Sequence, residues 1–281
     1  MGFWTPLARR ASSRAFGVRQ RHTPLPLPDP MNFYPESRKA NLQLALLLTL
    51  GAVGASGLMI PASWSMMAIP SFGVPPESRL PVVVGTSIGR LVPCVAAAII
   101  GAFLAARSSD ATHRLQWTRS GFVAAIAFAV ILVSTMLGVG RLLRAQLPTL
   151  PSDYVFPPVW QGLALLLGAA YFEELIFRFG LVSLCVFLVT WMMRRTSANQ
   201  PALWIGLTIA AAAFAGLHLI VLGLLLQVTP SFLVGAFAIA MVGGIGFGLI
   251  FVKHGLHFAM LSHALAGPPL YLIVRFGFLE R

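Results

Sequence analysis

From about residue 41 onward, long apolar stretches alternate with short polar breaks. The stretches fall at 41–60, 81–106, 120–140, 158–177, 179–193, 201–221, 232–252 and 256–274. Most are about 20 residues long, the length of helix that crosses the hydrocarbon core of a bilayer. The breaks carry turn chemistry: PESRL at 76–80, RSSDATHR at 107–114, LPTLPSD at 147–153, RRTSANQP at 194–201 and VTPS at 228–231. The pattern predicts an all-α protein, a polytopic transmembrane helix bundle of about eight spans, with 179–193 the shortest. An even number of crossings puts both ends of the chain on one side.

Composition agrees with the pattern. Hydrophobic residues make up 57% of the 281 positions and charged residues 10%, against about 25% charged in a soluble domain. Mean hydropathy is +0.82. These values exclude an ordinary soluble enzyme. Three regions are distinguished: a basic, Pro-containing tail over 1–40, transmembrane helices over 41–150, and a candidate catalytic core over 151–281. The tail holds Arg9, Arg10, Arg14, Arg19 and Arg21 before its first acid, Asp29, and then PLPLPDP at 24–30. It lacks the apolar core of a secretory signal peptide and reads first as a cytoplasmic tail, with an organelle transit peptide as the alternative.

The net charge of +12 would suggest nucleic acid as a partner of a soluble protein. Here the basic residues flank apolar stretches without an aromatic-and-basic face, so anionic lipid and topology account for them and no nucleic acid is expected. With the amino terminus inside and eight crossings, thirteen Lys and Arg fall on the inner side and six on the outer, with Arg90 inside a span. Positive-inside then places both termini in the cytoplasm, although Arg194 and Arg195 fall on the outer side of that count. Ala, Arg, Gly and Pro usage favours a bacterial plasma membrane. Cys94 and Cys185 lie in apolar stretches and suggest neither disulfide nor metal cluster.

Between Asp153 and Glu280 there are two acids, the adjacent Glu173 and Glu174 in GAAYFEELIFRFG. Carboxylates at membrane depth are costly and point to function. On a helix Glu174 and Arg178 are i and i+4, the register of an ion pair, whereas Glu173 is turned by about 100° from its neighbour. The expectation is that Arg178 satisfies Glu174 and leaves Glu173 free for a cavity. His218 lies one helical turn after Phe214 in AAAFAGLHLI, and His263 lies among small residues in HFAMLSHALAGPP. A lone His on an apolar face is more often a packed, hydrogen-bonded core residue than a catalyst. His254 and His257, beside Lys253 and Gly255, fit an interfacial position and are left outside the site. The small-residue faces Gly51, Gly54, Gly57 and Gly244, Gly248 read as helix packing. HExxH is absent, as is a pair of Asp residues in separate spans.

The ordered set EExxxR (Glu173, Glu174, Arg178), FxxxH (Phe214, His218) and a late His263 resembles the CPBP family of intramembrane proteases. That family, also called the Abi family, includes the type II CAAX prenyl endopeptidases. The resemblance covers about residues 155–275. It implies hydrolysis of a peptide bond in a membrane-associated or lipidated polypeptide by a Glu/His-activated water, with no metal required and no cofactor, a zinc held by one Glu and two His with an open position being the minor alternative. Glu173 would be general base, His218 would orient the water and His263 would donate to the oxyanion. Glu174 with Arg178 would keep Glu173 aimed, and Phe214 belongs to the supporting set. One position departs: the family usually places Asn or Asp four residues after the last His, and here it is Gly267, followed by Pro268 and Pro269.

Two other readings stand beside this one. A non-catalytic protein on the same scaffold, acting by binding as in bacteriocin immunity or as an assembly partner, is favoured by Gly267 and opposed by the joint presence of Glu173, His218 and His263. A proton relay or transporter would line a route across the membrane with ionisable groups, yet the first three stretches offer only Arg90.

Overall fold

The computed structural model describes residues 35–69, 73–105, 117–143, 145, 156–195, 200–225 and 228–276. Most of the tail expected over 1–40 lies outside them, as do the breaks at 107–114 and 147–153. Among the described residues the fold is all-helical, with seven helices: α1 Pro35–Met67, α2 Arg79–Ala105, α3 Arg119–Leu142, α4 Val159–Met192, α5 Gln200–Leu225, α6 Pro230–His254 and α7 Leu256–Arg275.

The sequence marks most of the boundaries. PESRL forms a short 3-10 turn, Pro76–Ser78, that leads into α2. The side chain of Thr118 caps α3 by accepting from the Gly121 amide, and Thr229 caps α6 by accepting from Phe232, with Pro230 in the first helical turn. Six helices are long and apolar enough to cross a membrane, α1 to α6. In none is more than a third of the apolar window buried. Their outward faces carry residues such as Leu46, Val92, Ile131 and Val234, as lipid contact requires.

The expectation of eight spans is high by two: α7, expected as a span over 256–274, is not among the six candidate spans, and two other stretches are one helix. The stretches 158–177 and 179–193 are a single 34-residue helix, α4. Its middle, Glu174–Val182, is π-helical, between α-helical Val159–Glu173 and Ser183–Met192. The charge that seemed to end a span, Arg178, is buried inside the bundle. A π segment in a longer helix commonly marks a functional site, and this one begins at the paired carboxylates.

α7 folds back on α6. Gly255 joins them alone, at φ 99° and ψ 168°, a conformation that only glycine adopts without strain. Phe247 and His263, each eight residues from this corner, stack with ring centroids 4.5 Å apart. α7 then runs the depth of the bundle. Near its start His257 and Phe258 pack on Trp117 beside the start of α3. At its end Arg275 and Tyr271 donate to the carbonyl of Pro157 just before α4. The two ends of the described chain therefore lie at opposite ends of the bundle.

The tryptophans report the same alternation. Trp64 ends α1 and Trp160 starts α4 at one end of the bundle; Trp117, Trp191 and Trp204 lie at the other, and all five are exposed. Two rings of exposed tryptophan are the signature of the two membrane–water interfaces.

The core lies where α4 meets α1, α2, α5 and α7. Tyr171 donates to the Leu48 carbonyl at 2.8 Å, Ser65 to Gln161 Oε1 at 2.7 Å, and Ser262 to the Ala125 carbonyl at 2.8 Å. Gly244 and Gly248 pack on Ala211 and Leu207 of α5, as a small-residue face should. The run in α1 divides. Gly51 is pressed on Tyr171, whereas Gly54 and Gly57 face open space and are not a packing face. Cys94 and Cys185 are free and buried.

Candidate active site

The sequence-predicted residues come together from three helices, α4 contributing through its π segment. Glu174 and Arg178 are buried completely, their side chains 0% and 1% exposed, with Arg178 Nε 3.2 Å from Glu174 Oε2. Arg178 Nη2 donates to the Gly244 carbonyl at 3.3 Å. Its guanidinium lies 4.5 Å from the centre of the Phe214 ring and 5.4 Å from that of Phe247. A buried cation is tolerable only with such a set of partners, a carboxylate, a carbonyl and two π faces.

The expected pairing of Glu174 with Arg178 is present. The second partner of Glu174 differs from expectation. Its Oε1 lies 2.8 Å from His263 Nδ1, so it tethers a histidine on α7 rather than steadying its neighbour Glu173. A carboxylate paired with arginine only accepts, so His263 Nδ1 carries the proton. The ring is held from the side by Phe247, stacked at 13° between planes.

His218 is fixed in the same manner. Its Nδ1 is 3.0 Å from the Phe214 carbonyl one turn earlier, and a carbonyl can only accept. Both histidines therefore turn Nε2 toward the remaining carboxylate. Glu173 Oε2 is 3.5 Å from His263 Nε2 and 3.9 Å from His218 Nε2. This oxygen is buried and forms no hydrogen bond to another described group. A gap of 3.9 Å is too long for a direct hydrogen bond and suits a bridging water. In the neutral rings three acceptors face one another, and a water offers them two protons.

Exposure rises across the site. The side chains are 0% exposed at Glu174, 16% at His263, 22% at Glu173 and 39% at His218. The closed end is the Glu174–Arg178 pair, and the open end is at His218. Phe214, named in the sequence as a supporting residue, sits between Arg178 and His218, with ring centroids 4.4 Å from His218 and 6.0 Å from His263.

Phe247 and the Gly244 carbonyl were not foreseen. Both lie on α6, in a stretch whose glycines read as packing, and neither a phenyl ring nor a backbone oxygen gives a site signal in sequence. His254 and His257 stay outside the site, as expected, near the corner between α6 and α7. Gly267 lies one turn beyond His263 and faces Leu166, where an added Cβ would meet side-chain atoms at 3.5–3.9 Å. Among the described residues no group of three His, Cys, Asp or Glu is placed to hold a metal ion.

Residues 155–267 match a family model described as type II CAAX prenyl endopeptidase Rce1-like. The matched segment holds the whole constellation from Glu173 to His263 and ends at Gly267. Comparison with curated proteins and with solved structures gives no match.

Proposed function

From the match of residues 155–267 to the type II CAAX prenyl endopeptidase Rce1-like family model, we propose that this multi-pass membrane protein is an intramembrane endopeptidase working through a Glu/His-activated water. The family supports a CAAX-type protease role in general. The single observation that carries the finer reading is the convergence of Glu173 Oε2 with the Nε2 atoms of His218 and His263, each ring anchored behind by its own Nδ1–H.

In the proposed mechanism, Glu173 accepts a proton from a water as that water attacks the scissile carbonyl, and then passes that proton to the amide nitrogen as the C–N bond breaks. His218 Nε2 accepts the second hydrogen of the same water and aims its lone pair. His263, in its imidazolium form, donates Nε2–H to the developing oxyanion. Removal of one such donor from comparable sites costs about 2.7–4 kcal/mol of transition-state stabilisation. Glu174 takes the role of orienting carboxylate behind His263, and Arg178 holds Glu174. With His263 charged, the four groups Glu173, Glu174, Arg178 and His263 sum to zero, which suits a site at membrane depth. The proposed substrate is a membrane-associated or lipidated polypeptide.

We propose α7 as a seventh crossing beside the six candidate spans, which revises the orientation proposed for the chain. Counted by sequence, Arg38, Lys39, Arg107, Arg114, Arg119, Arg194, Arg195 and Lys253 flank helix ends on the side where α1 begins. Arg79, Arg141, Arg144, Arg275 and Arg281 flank the other. Positive-inside then puts the start of α1 in the cytoplasm and the end of α7 outside, and brings Arg194 and Arg195 to the inner side.

The deciding experiment compares wild type with Glu173→Gln in native membranes by terminal-peptide mass spectrometry. New carboxyl or amino termini in wild type alone are the expected result. Identical termini in both, with a deletion phenotype rescued by the Gln variant, would replace this reading by the non-catalytic one that Gly267 favours.

A further inference from the structure

A second charged group at membrane depth takes no part in this site. Arg90 lies at the midpoint of the candidate span Pro76–Leu104, 14 residues from either end, which places its Cα about 21 Å along the helix from each. Among the described residues its guanidinium makes one polar contact, Nη1 to Ser63 Oγ of α1 at 3.5 Å. Ser63 is buried and Arg90 is partly exposed. Five N–H donors and a full positive charge thus meet one neutral oxygen at the limit of hydrogen bonding. No ion pair among the described residues includes Arg90.

The level of the guanidinium identifies what would meet it. Helical side chains lean toward the amino terminus of their helix, so Arg90 reaches from mid-span toward the start of α2. Ser63 is four residues from the end of the span Leu42–Met67. Its neighbour Trp64 is exposed, and two residues on Ser65 bonds Gln161, the neighbour of exposed Trp160. The Ser63 contact therefore carries the guanidinium from mid-span to about one helical turn beneath a tryptophan ring, from which it faces the headgroup phosphates above. A planar guanidinium matches a phosphate with two parallel hydrogen bonds, and the buried Ser63 hydroxyl holds it in place by accepting from Nη1.

We propose that Arg90 and Ser63 form a binding site at the α1–α2 seam for the phosphate of an anionic lipid headgroup. The test uses the full chain, purified in neutral detergent and titrated with phosphatidylglycerol, with lipid retention read by native mass spectrometry. Wild type should hold one more tightly bound phosphatidylglycerol than Arg90→Gln, with an apparent affinity about five- to tenfold higher. Ser63→Ala and Arg90→Lys should fall between the two, and they carry the comparison if Arg90→Gln does not fold. Phosphatidylcholine should not replace the anionic lipid, and inorganic phosphate should not displace it. Equal retention by wild type and all three variants would overturn the proposal. Displacement by inorganic phosphate would overturn the lipid as its source. Arg90-dependent binding of a peptide with a free carboxyl terminus, but not of its amide or of phosphatidylglycerol, would assign the site to a peptide instead.

Discussion

The buried pair Glu174–Arg178 has two separable duties, to neutralise a charge inside the bundle and to tether His263, and paired substitutions distinguish them. Glu174→Leu removes the carboxylate in contact and leaves a guanidinium that is 1% exposed with the Gly244 carbonyl and two phenyl rings against it and Glu173 as the remaining nearby carboxylate. The ring contacts exist already in the wild type, so they offset nothing new. Stranding one partner of a buried pair costs about 3–5 kcal/mol, whereas replacing both by apolar residues of similar volume is close to neutral. The single variant should lose about 3–5 kcal/mol in denaturant unfolding in mixed micelles. The double variant Glu174→Leu/Arg178→Met should return to within about 1 kcal/mol of wild type. Cleavage should not return with it, because His263 Nδ1 lacks its 2.8 Å partner in both, and accumulation of new termini should stay down by about 10²-fold or more. A double variant that regains cleavage with stability would refute the tether. A single variant as stable as the double would refute the buried-charge argument.

Other outcomes follow from the same geometry. His218→Ala and His263→Ala should each remove most of the cleavage while leaving the unfolding midpoint within reach of wild type, and an unaffected rate excludes that residue from the site. Gly267→Asn should fold, since its Cβ meets Leu166 at ordinary contact distance and Asn is the better helix former. Its cleavage rate should rise if the oxyanion site is one donor short, and an unchanged rate in the termini assay means that His263 suffices. Gly244→Val should destabilise by about 1–3 kcal/mol by overpacking, because a Cβ there lies 2.9 Å from the Ala211 Cα. Thermal unfolding in detergent would show no shift if the α5–α6 contact were loose.

Much of the architecture was legible because most apolar stretches announce one helix, and turn residues such as Pro76 and Thr229 stand at real ends. The exception at α4 has a physical cause. A hydropathy pattern reads Arg178 as an interruption, since it sees one residue at a time and cannot see that a carboxylate one turn back and two rings from other helices accommodate the charge. Spacing also found the Glu174–Arg178 pair, which is local. It missed the bond from Glu174 to His263, which joins residues 89 positions apart. A single fused helix thus turned two expected stretches into one candidate span.

The corner between α6 and α7 bears on how this chain tolerates length variation. Most connections in the bundle span several residues, and an added residue there can be absorbed in solvent. Between Phe247 and His263 the only non-helical position is Gly255. An insertion at that point has no slack to enter. It must either bulge a helix or turn α7 by about 100°, carrying His263 off the Phe247 ring and away from Glu173. Variation in length should therefore accumulate in the connections before α4 and between α4 and α6, while the spacing of these two rings stays fixed at sixteen residues.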